Sequence, residues 1–301
     1  MIAVRFALYA VLGSLFGLSA FGLYRLRTGK RGDALALKPW LVALALLGLA
    51  LSAVQLALLA ASMIGAPAWP VDREAVAMLL TGSALGAAWK ARMAALLVAG
   101  LAAVAAGRAA WLGVVAITAG VALSGLAWTG HGAAGEGAAG WVHLAADLLH
   151  LLASGAWVGA LLGLVLLVTR PADRIDAAHL TLTHRALHGF GLVGTIVVGT
   201  MVVTGLVNSW MLIGPGNVPE LGATLYGRLL VAKLALFAAM LGLASLNRFR
   251  LTPAFERSIA AADHAGALGA LRASLAVEAA CAVVILALVG WLGTLEPPGS
   301  M

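Results

Sequence analysis

The run WVHLAADLLHLLASGAWVGALLGLVLLV, Trp141–Val168, decides what kind of molecule this is. It is apolar and long enough to cross a bilayer as a helix, which takes about 20 residues. Yet it carries His143, Asp147 and His150 at i, i+4 and i+7, on one helical stripe. Ionisable groups inside a membrane segment are costly and usually face a protein interior or a water-filled cavity, so the stripe marks a functional site by default.

Outward from this run the same apolar pattern recurs. Candidate spans fall at 4–24, 40–62, 86–107, 109–128, 142–169, 189–213, 227–246 and 271–293, about eight in all. With 62% hydrophobic and 10% charged residues and a mean hydropathy of +1.02, the chain exceeds the apolar share of an ordinary soluble domain. The fold class is therefore an all-α polytopic membrane protein, one transmembrane domain over residues 1–301. The net charge of +7 is spread between the apolar runs and forms no single patch for nucleic acid. The connections 25–39, 170–188 and 247–270 are rich in Arg and Lys, whereas 129–141 and 214–226 carry only Glu136 and Glu220. By the positive-inside rule the first group is cytoplasmic, and an even number of spans places both termini on the periplasmic side. The first run lacks a cleavage site and ends in Arg25, Arg27, Lys30 and Arg31, so it reads as a retained helix.

Residues 70–85 read as an interfacial or re-entrant segment, with Lys90 and Arg92 near the outer end of the third helix, where their chains can snorkel to water. Trp69, Trp89, Trp128, Trp141, Trp210, Tyr226 and Trp291 fall at outer ends and Tyr24, Trp40 and Trp111 at inner ends, as an aromatic belt requires. Trp157 is the exception, lying mid-helix. The 37 glycines fit close helix packing, with Gly155 and Gly159 as one small-x-x-x-small pair. The single cysteine, Cys281, excludes an intramolecular disulfide and a cysteine-pair metal site.

Imidazole and carboxylate both suit copper or zinc, so His143, Asp147 and His150 are candidate metal ligands. His131, just outside the preceding span, is placed to complete the set. Lys233 lies at a depth similar to Asp147, and a Lys233–Asp147 pair is the simplest way to accommodate both charges. Asn208 and Gln55 belong to the same outer layer, Gln55 being equally suited to a plain helix–helix hydrogen bond. Met201 and Met211 share roughly one face of the sixth span, and thioethers suit Cu(I), although Met also fills ordinary cores. Glu278 sits in the inner half of the eighth span, a candidate pathway or charge-balancing residue without an evident partner. His184 and His188 are spaced to share a metal, but Arg185 beside them favours a solvated basic face in the loop before the sixth span. The chain has no Walker-type phosphate loop, nucleophile elbow, zinc-protease motif or haem-attachment cysteine motif, so neither ATP-driven transport by this chain alone nor an enzyme is expected.

Several short motifs, in this order, resemble the copper resistance protein D family. They are His150-Leu151-Leu152 with Trp157-Val158-Gly159; Thr204-Gly205; Tyr226-Gly227 with Leu229, Leu230 and Lys233; Asn247-Arg248 with Pro253; and Glu278 followed by Leu292-Gly293-Thr294-Leu295-Glu296-Pro297. The resemblance is strongest over 129–301 and looser over the whole chain. It implies an inner-membrane protein of about eight helices that handles copper, working with a separate periplasmic partner of the copper resistance protein C family. The resulting expectation is copper transport across the inner membrane. Copper enters near His131, His143, Asp147 and His150 and moves inward toward Glu278, and Lys233 balances Asp147 when the site is empty. The alternatives are a membrane electron carrier with b-type haem, and a non-transporting scaffold for a copper chaperone. Bis-His haem needs histidines on facing helices at one depth, and His184 and His188 fall at the opposite membrane face from His143 and His150.

Overall fold

The computed structural model describes residues 1–25, 36–105, 109–130, 132–133, 135–170, 177–260 and 265–298. Arg27, Lys30, Arg31 and the candidate ligand His131 lie outside these residues. Among the described residues there is no strand. The elements are α1 (Ile2–Arg25), α2 (Leu37–Ile64), α3 (Arg73–Gly82), α4 (Ala84–Val104), α5 (Ala109–Ser124), α6 (Gly137–Val168), α7 (Ala177–Ile213), α8 (Leu225–Leu246), a π-helical turn (Asn247–Leu251), α9 (Thr252–Ala260) and α10 (Ala265–Leu292). Eight described helical segments are long and apolar enough to cross a membrane, as the hydropathy pattern predicts.

Side-chain caps set several of these boundaries. Asp72 accepts from the Ala75 N–H at 2.9 Å to start α3, Ser83 accepts from Gly86 at 3.0 Å to start α4, and Thr224 accepts from Gly227 at 3.0 Å to start α8. Each satisfies one of the orphan N–H groups of a first helical turn. Residues 70–85 thus form a short helix whose polar ends lead directly into α4, consistent with an interfacial segment.

The centre of the bundle is α1, which packs against α2, α5, α6 and α10. Its buried face is Leu8, Leu12, Leu15, Leu18 and Phe21. Glycine makes the α1–α6 crossing possible. A Cβ on Gly17 would overlap the Gly155 carbonyl, a Cβ on Gly159 would overlap the Gly17 backbone, and one on Gly163 would meet the Phe21 ring. Two small-x-x-x-small faces, Gly13/Gly17 and Gly155/Gly159, therefore lie backbone on backbone, so the Gly155–Gly159 pair is a packing device. Gly290 packs against Ile2 and Phe6, and Gly293 against Arg5, so both chain ends lie at one end of the bundle, here the terminal end. α7 packs chiefly on α6 and α8 on α10, while α7 and α8 barely touch. That leaves a cleft between them, floored by α6 and α10.

Three expectations need correction. Arg92 does not snorkel: it is 1% exposed and bonded inside the bundle, whereas Lys90 is exposed. The stretch holding His179, His184 and His188 is not loop but the first turns of α7, and His184 faces Glu256 of α9 at 3.6 Å. Tyr226 is buried beside Leu230 and Leu292 and takes no part in an aromatic belt, while Trp40, Trp69, Trp111, Trp141, Trp210 and Trp291 are exposed as anchors should be.

Candidate functional site

In the terminal half of the cleft, α6 presents its polar stripe toward α7 and α8. His143 is buried, and Asp147 and His150 are half-buried. The loop before α6 folds back over this stripe: a Cβ on Gly132 would stand 2.9 Å from the Asp147 Cβ, so only glycine lets the chain pass there.

His150 is held from across the cleft. Its Nδ1 lies 2.9 Å from the Thr204 hydroxyl of α7. That hydroxyl has one proton, given to the Thr200 carbonyl at 2.6 Å, so its oxygen accepts from His150 Nδ1–H. The Met201 carbonyl lies 3.4 Å from the same hydroxyl. The imidazole is thereby fixed as the tautomer whose Nε2 carries the free lone pair. This is the arrangement of a metal-binding histidine with a supporting acceptor behind it. Gly205 lies beside the ring, its Cβ position an ordinary contact distance of 3.5 Å from the His150 Cε1.

Lys233 of α8 supplies the leading positive charge acting on Asp147 and also acts on His150. Asp147 and Lys233 act on each other electrostatically, but among the described residues the two do not form an ion pair within 4.0 Å. Asn208, one turn beyond Thr204 on α7, is half-buried with its Oδ1 lacking a donor. Met201 is buried beside His150 and Met211 is half-buried farther along the helix. Among the described residues no three His, Cys, Asp or Glu side chains come together closely enough to hold a metal ion. The α6 stripe thus offers ligands one at a time along a helix, and His131 falls outside the described residues.

Behind the stripe lies a second polar layer that the hydropathy pattern did not single out. Arg92 donates to Gln55 Oε1 at 2.7 Å and to the Gly125 carbonyl at 2.8 Å. Arg5 donates to the Thr129 carbonyl at 2.8 Å, lies near Tyr9 and acts on Asp147 as a second cation. α5 stops at Ser124 and a 3-10 turn follows at Ala127–Thr129; Arg92 sits at the carbonyl just past the end of α5, toward the negative end of its dipole, and Arg5 at the last carbonyl of the turn. Gln55 is therefore a helix–helix bonding partner. The clue was present in the sequence: Arg92 is an arginine in an apolar span, subject to the same argument that picked out Asp147.

Glu278 is far from this layer. It is 4% exposed and accepts from Asn247 Nδ2, the first residue of the π-helical turn. Both border a cavity of about 260 Å³ among α6, α7, α8 and α10, walled by Trp157, Phe190, Thr195 and Arg248. The mid-helix Trp157 is buried there and meets Phe190 edge-to-face at 5.5 Å between ring centres.

Comparison with known proteins agrees with these motifs. A family model described as copper resistance protein D-like, N-terminal domain, matches residues 1–141, and one described as copper resistance protein D matches residues 184–292. Copper resistance protein D of Pseudomonas syringae pv. tomato is 45% identical over 300 residues, covering 98% of this chain and 96% of its own length. Copper transport protein CutJ of Bacillus subtilis (strain 168) is 33% identical over 126 residues, 42% of this chain and 22% of that protein. Inner membrane protein YebZ of Escherichia coli (strain K12) is 28% identical over 172 residues, 57% of this chain and 55% of that protein. No solved structure matches. Near-complete coverage at this identity, with family models matching both halves, shows that the chain belongs to the copper resistance protein D family.

Proposed function

We propose that this multi-pass inner-membrane protein moves copper inward. Copper is accepted at the terminal, periplasmic end by His131, His143, Asp147 and His150 and passes along the α7–α8 cleft toward the level of Glu278. The observation that carries this reading is His150: a half-buried imidazole in a membrane helix, its Nδ1–H given to Thr204 and its Nε2 lone pair left for a ligand. Names carried by relatives, copper resistance and copper transport, point to the same cargo. The Arg-rich ends of the α8–α9 and α6–α7 connections favour the opposite end as cytoplasmic. Asp147 and Lys233 balance each other when no copper is bound. An arriving cation takes the carboxylate and releases the ammonium, and Met201, Asn208 and Met211 line the cleft wall nearby. The copper is cargo, delivered by a separate periplasmic protein of the copper resistance protein C family.

Copper uptake into proteoliposomes tests this directly. Wild type loads the lumen with copper; the His143→Ala/His150→Ala double variant does not. Uptake equal in both would overturn the site assignment. Partner binding without any uptake would favour a scaffold.

A further inference from the structure

The cavity beside Glu278 is distinct from the metal stripe. Lys233 and Asn247 stand fourteen residues apart on one continuous helix, roughly 20 Å at 1.5 Å per residue. Two buried polar atoms on the cavity wall have no partner: Asn247 Oδ1, on a residue 7% exposed, and Trp157 Nε1, on a residue 4% exposed. Orphaned buried polar groups are costly, and in a native fold each calls for an explanation.

For Asn247 the explanation lies in its own carboxamide. Its Nδ2 donates to one Glu278 oxygen, and its Oδ1, on the same carboxamide, is left without a donor. A Glu278 carboxylate has no proton to offer it. If Glu278 carries a proton, the O–H is a donor that Asn247 Oδ1 can accept, which pairs acid with amide at two points. Reversing the amide places its oxygen against Glu278, which also calls for a proton on the carboxyl. Among the described residues no cation forms an ion pair with Glu278. Arg248, the other charged residue on the wall, is committed to the Gly191 carbonyl at 2.8 Å and the Thr195 hydroxyl at 2.7 Å. Arg272, on the same helix as Glu278, bonds the Val168 carbonyl at 2.5 Å and the Arg170 carbonyl at 3.3 Å. α6, α7 and α9 bring the neutral Trp157, Thr195 and Thr252 to the wall, and α1, packed against α10, has no charged residue between Arg5 and Arg25. Trp157 Nε1–H needs an acceptor; the cavity wall is mainly apolar, but Thr195, Asn247, Arg248 and Glu278 give it a polar side with room for a water to be that acceptor. The π-helical turn that presents Asn247 is a distortion found frequently at functional sites.

We infer that Glu278 and Asn247 form a proton-binding site in a hydrated cavity, separate from the metal ligands, at which the chain takes up and releases protons. The proton leaves the Glu278 carboxyl for a cavity water and returns from the same water; no other bond changes. An all-oxygen donor pair is hard and suits a proton better than Cu(I). Exchange of this proton against inward copper rests on the transport reading above; the proton site itself does not.

Infrared spectroscopy of the protein in lipid tests it. Wild type at neutral pH is expected to show the carbonyl stretch of a protonated carboxylic acid that shifts in heavy water, is lost in Glu278→Gln and moves in frequency in Asn247→Ala. Absence of that band in wild type, or its survival unchanged in Glu278→Gln, would overturn the proposal. So would its loss on adding sodium at constant pH, which would make the ligand a metal cation. If Glu278→Gln does not fold, the wild-type band and its Asn247→Ala shift decide. A pH dye inside the proteoliposomes reads the coupling, with copper-driven proton efflux expected in wild type and abolished in Glu278→Gln. A band without any copper movement would retire the transport reading and keep the proton site; copper movement without the band would do the reverse.

Discussion

Thr204 is the residue on which the proposed copper site of α6 turns, because its hydroxyl faces Nδ1 of His150 and leaves Nε2 available. Thr204→Val keeps the shape and removes the acceptor. Copper affinity is expected to fall about 10- to 100-fold, the usual cost of losing a histidine's supporting partner, and Thr204→Ser to restore it, both read by competition titration. Equal affinity in all three proteins would remove Thr204 from the site. Lys233 makes the opposite prediction. Lys233→Met takes away the cation that competes for Asp147, so copper binding is expected to tighten by roughly tenfold or more, as a unit charge at partly screened range allows. At this scale the sequence marked the candidate ligands, since His143, Asp147 and His150 stand out in an apolar run. It did not mark Thr204 or Gly132 by composition, because a threonine or glycine in a membrane helix or loop is unremarkable until the fold shows what it touches.

Elements meet here through backbone contact and through arginine. At the α1–α6 crossing any Cβ on Gly17 or Gly159 overlaps the opposing backbone, so Gly159→Ala is expected to destabilise by about 1–3 kcal/mol, the range for overpacking a close contact. Thermal unfolding in detergent checks this, with Gly199→Ala, where the Cβ meets open space, as the control expected to be near neutral. Arg92→Leu strips the donors from Gln55 and from the Gly125 carbonyl. It is expected to cost about 1–3 kcal/mol for each buried acceptor left unmet. The eight spans were legible because about 20 apolar residues per crossing is a strong constraint. Helix ends were less so. α7 begins at Ala177, well before the apolar stretch predicted from residue 189, because its first turns are held by packing and by bonds such as His179 Nε2 to the Leu167 carbonyl at 2.9 Å. Hydropathy reads the solvent, and those turns are polar. Arg92 was misplaced for a related reason: charge pattern shows the cost of burying a cation but not the helix end that offsets it.

For the whole molecule, the decisive feature is that α7 and α8 pack on α6 and α10 and scarcely on each other. Between these helices lie a histidine–aspartate–lysine layer toward the terminal end and, separately, a carboxyl–amide cavity farther in, joined by no motif that a linear reading connects. Individual positions were visible in the sequence; their grouping among the same helices was not, because it depends on which helices fail to touch. The central claim is that the α6 stripe binds copper. Metal content of the detergent-purified wild type and of the His143→Ala/His150→Ala double variant, with an absorption spectrum on each, tests it most directly. The account predicts stoichiometric copper in the wild type and its loss in the double variant, with no haem Soret band in either. Copper retained by the double variant, or absent from both proteins, would contradict it.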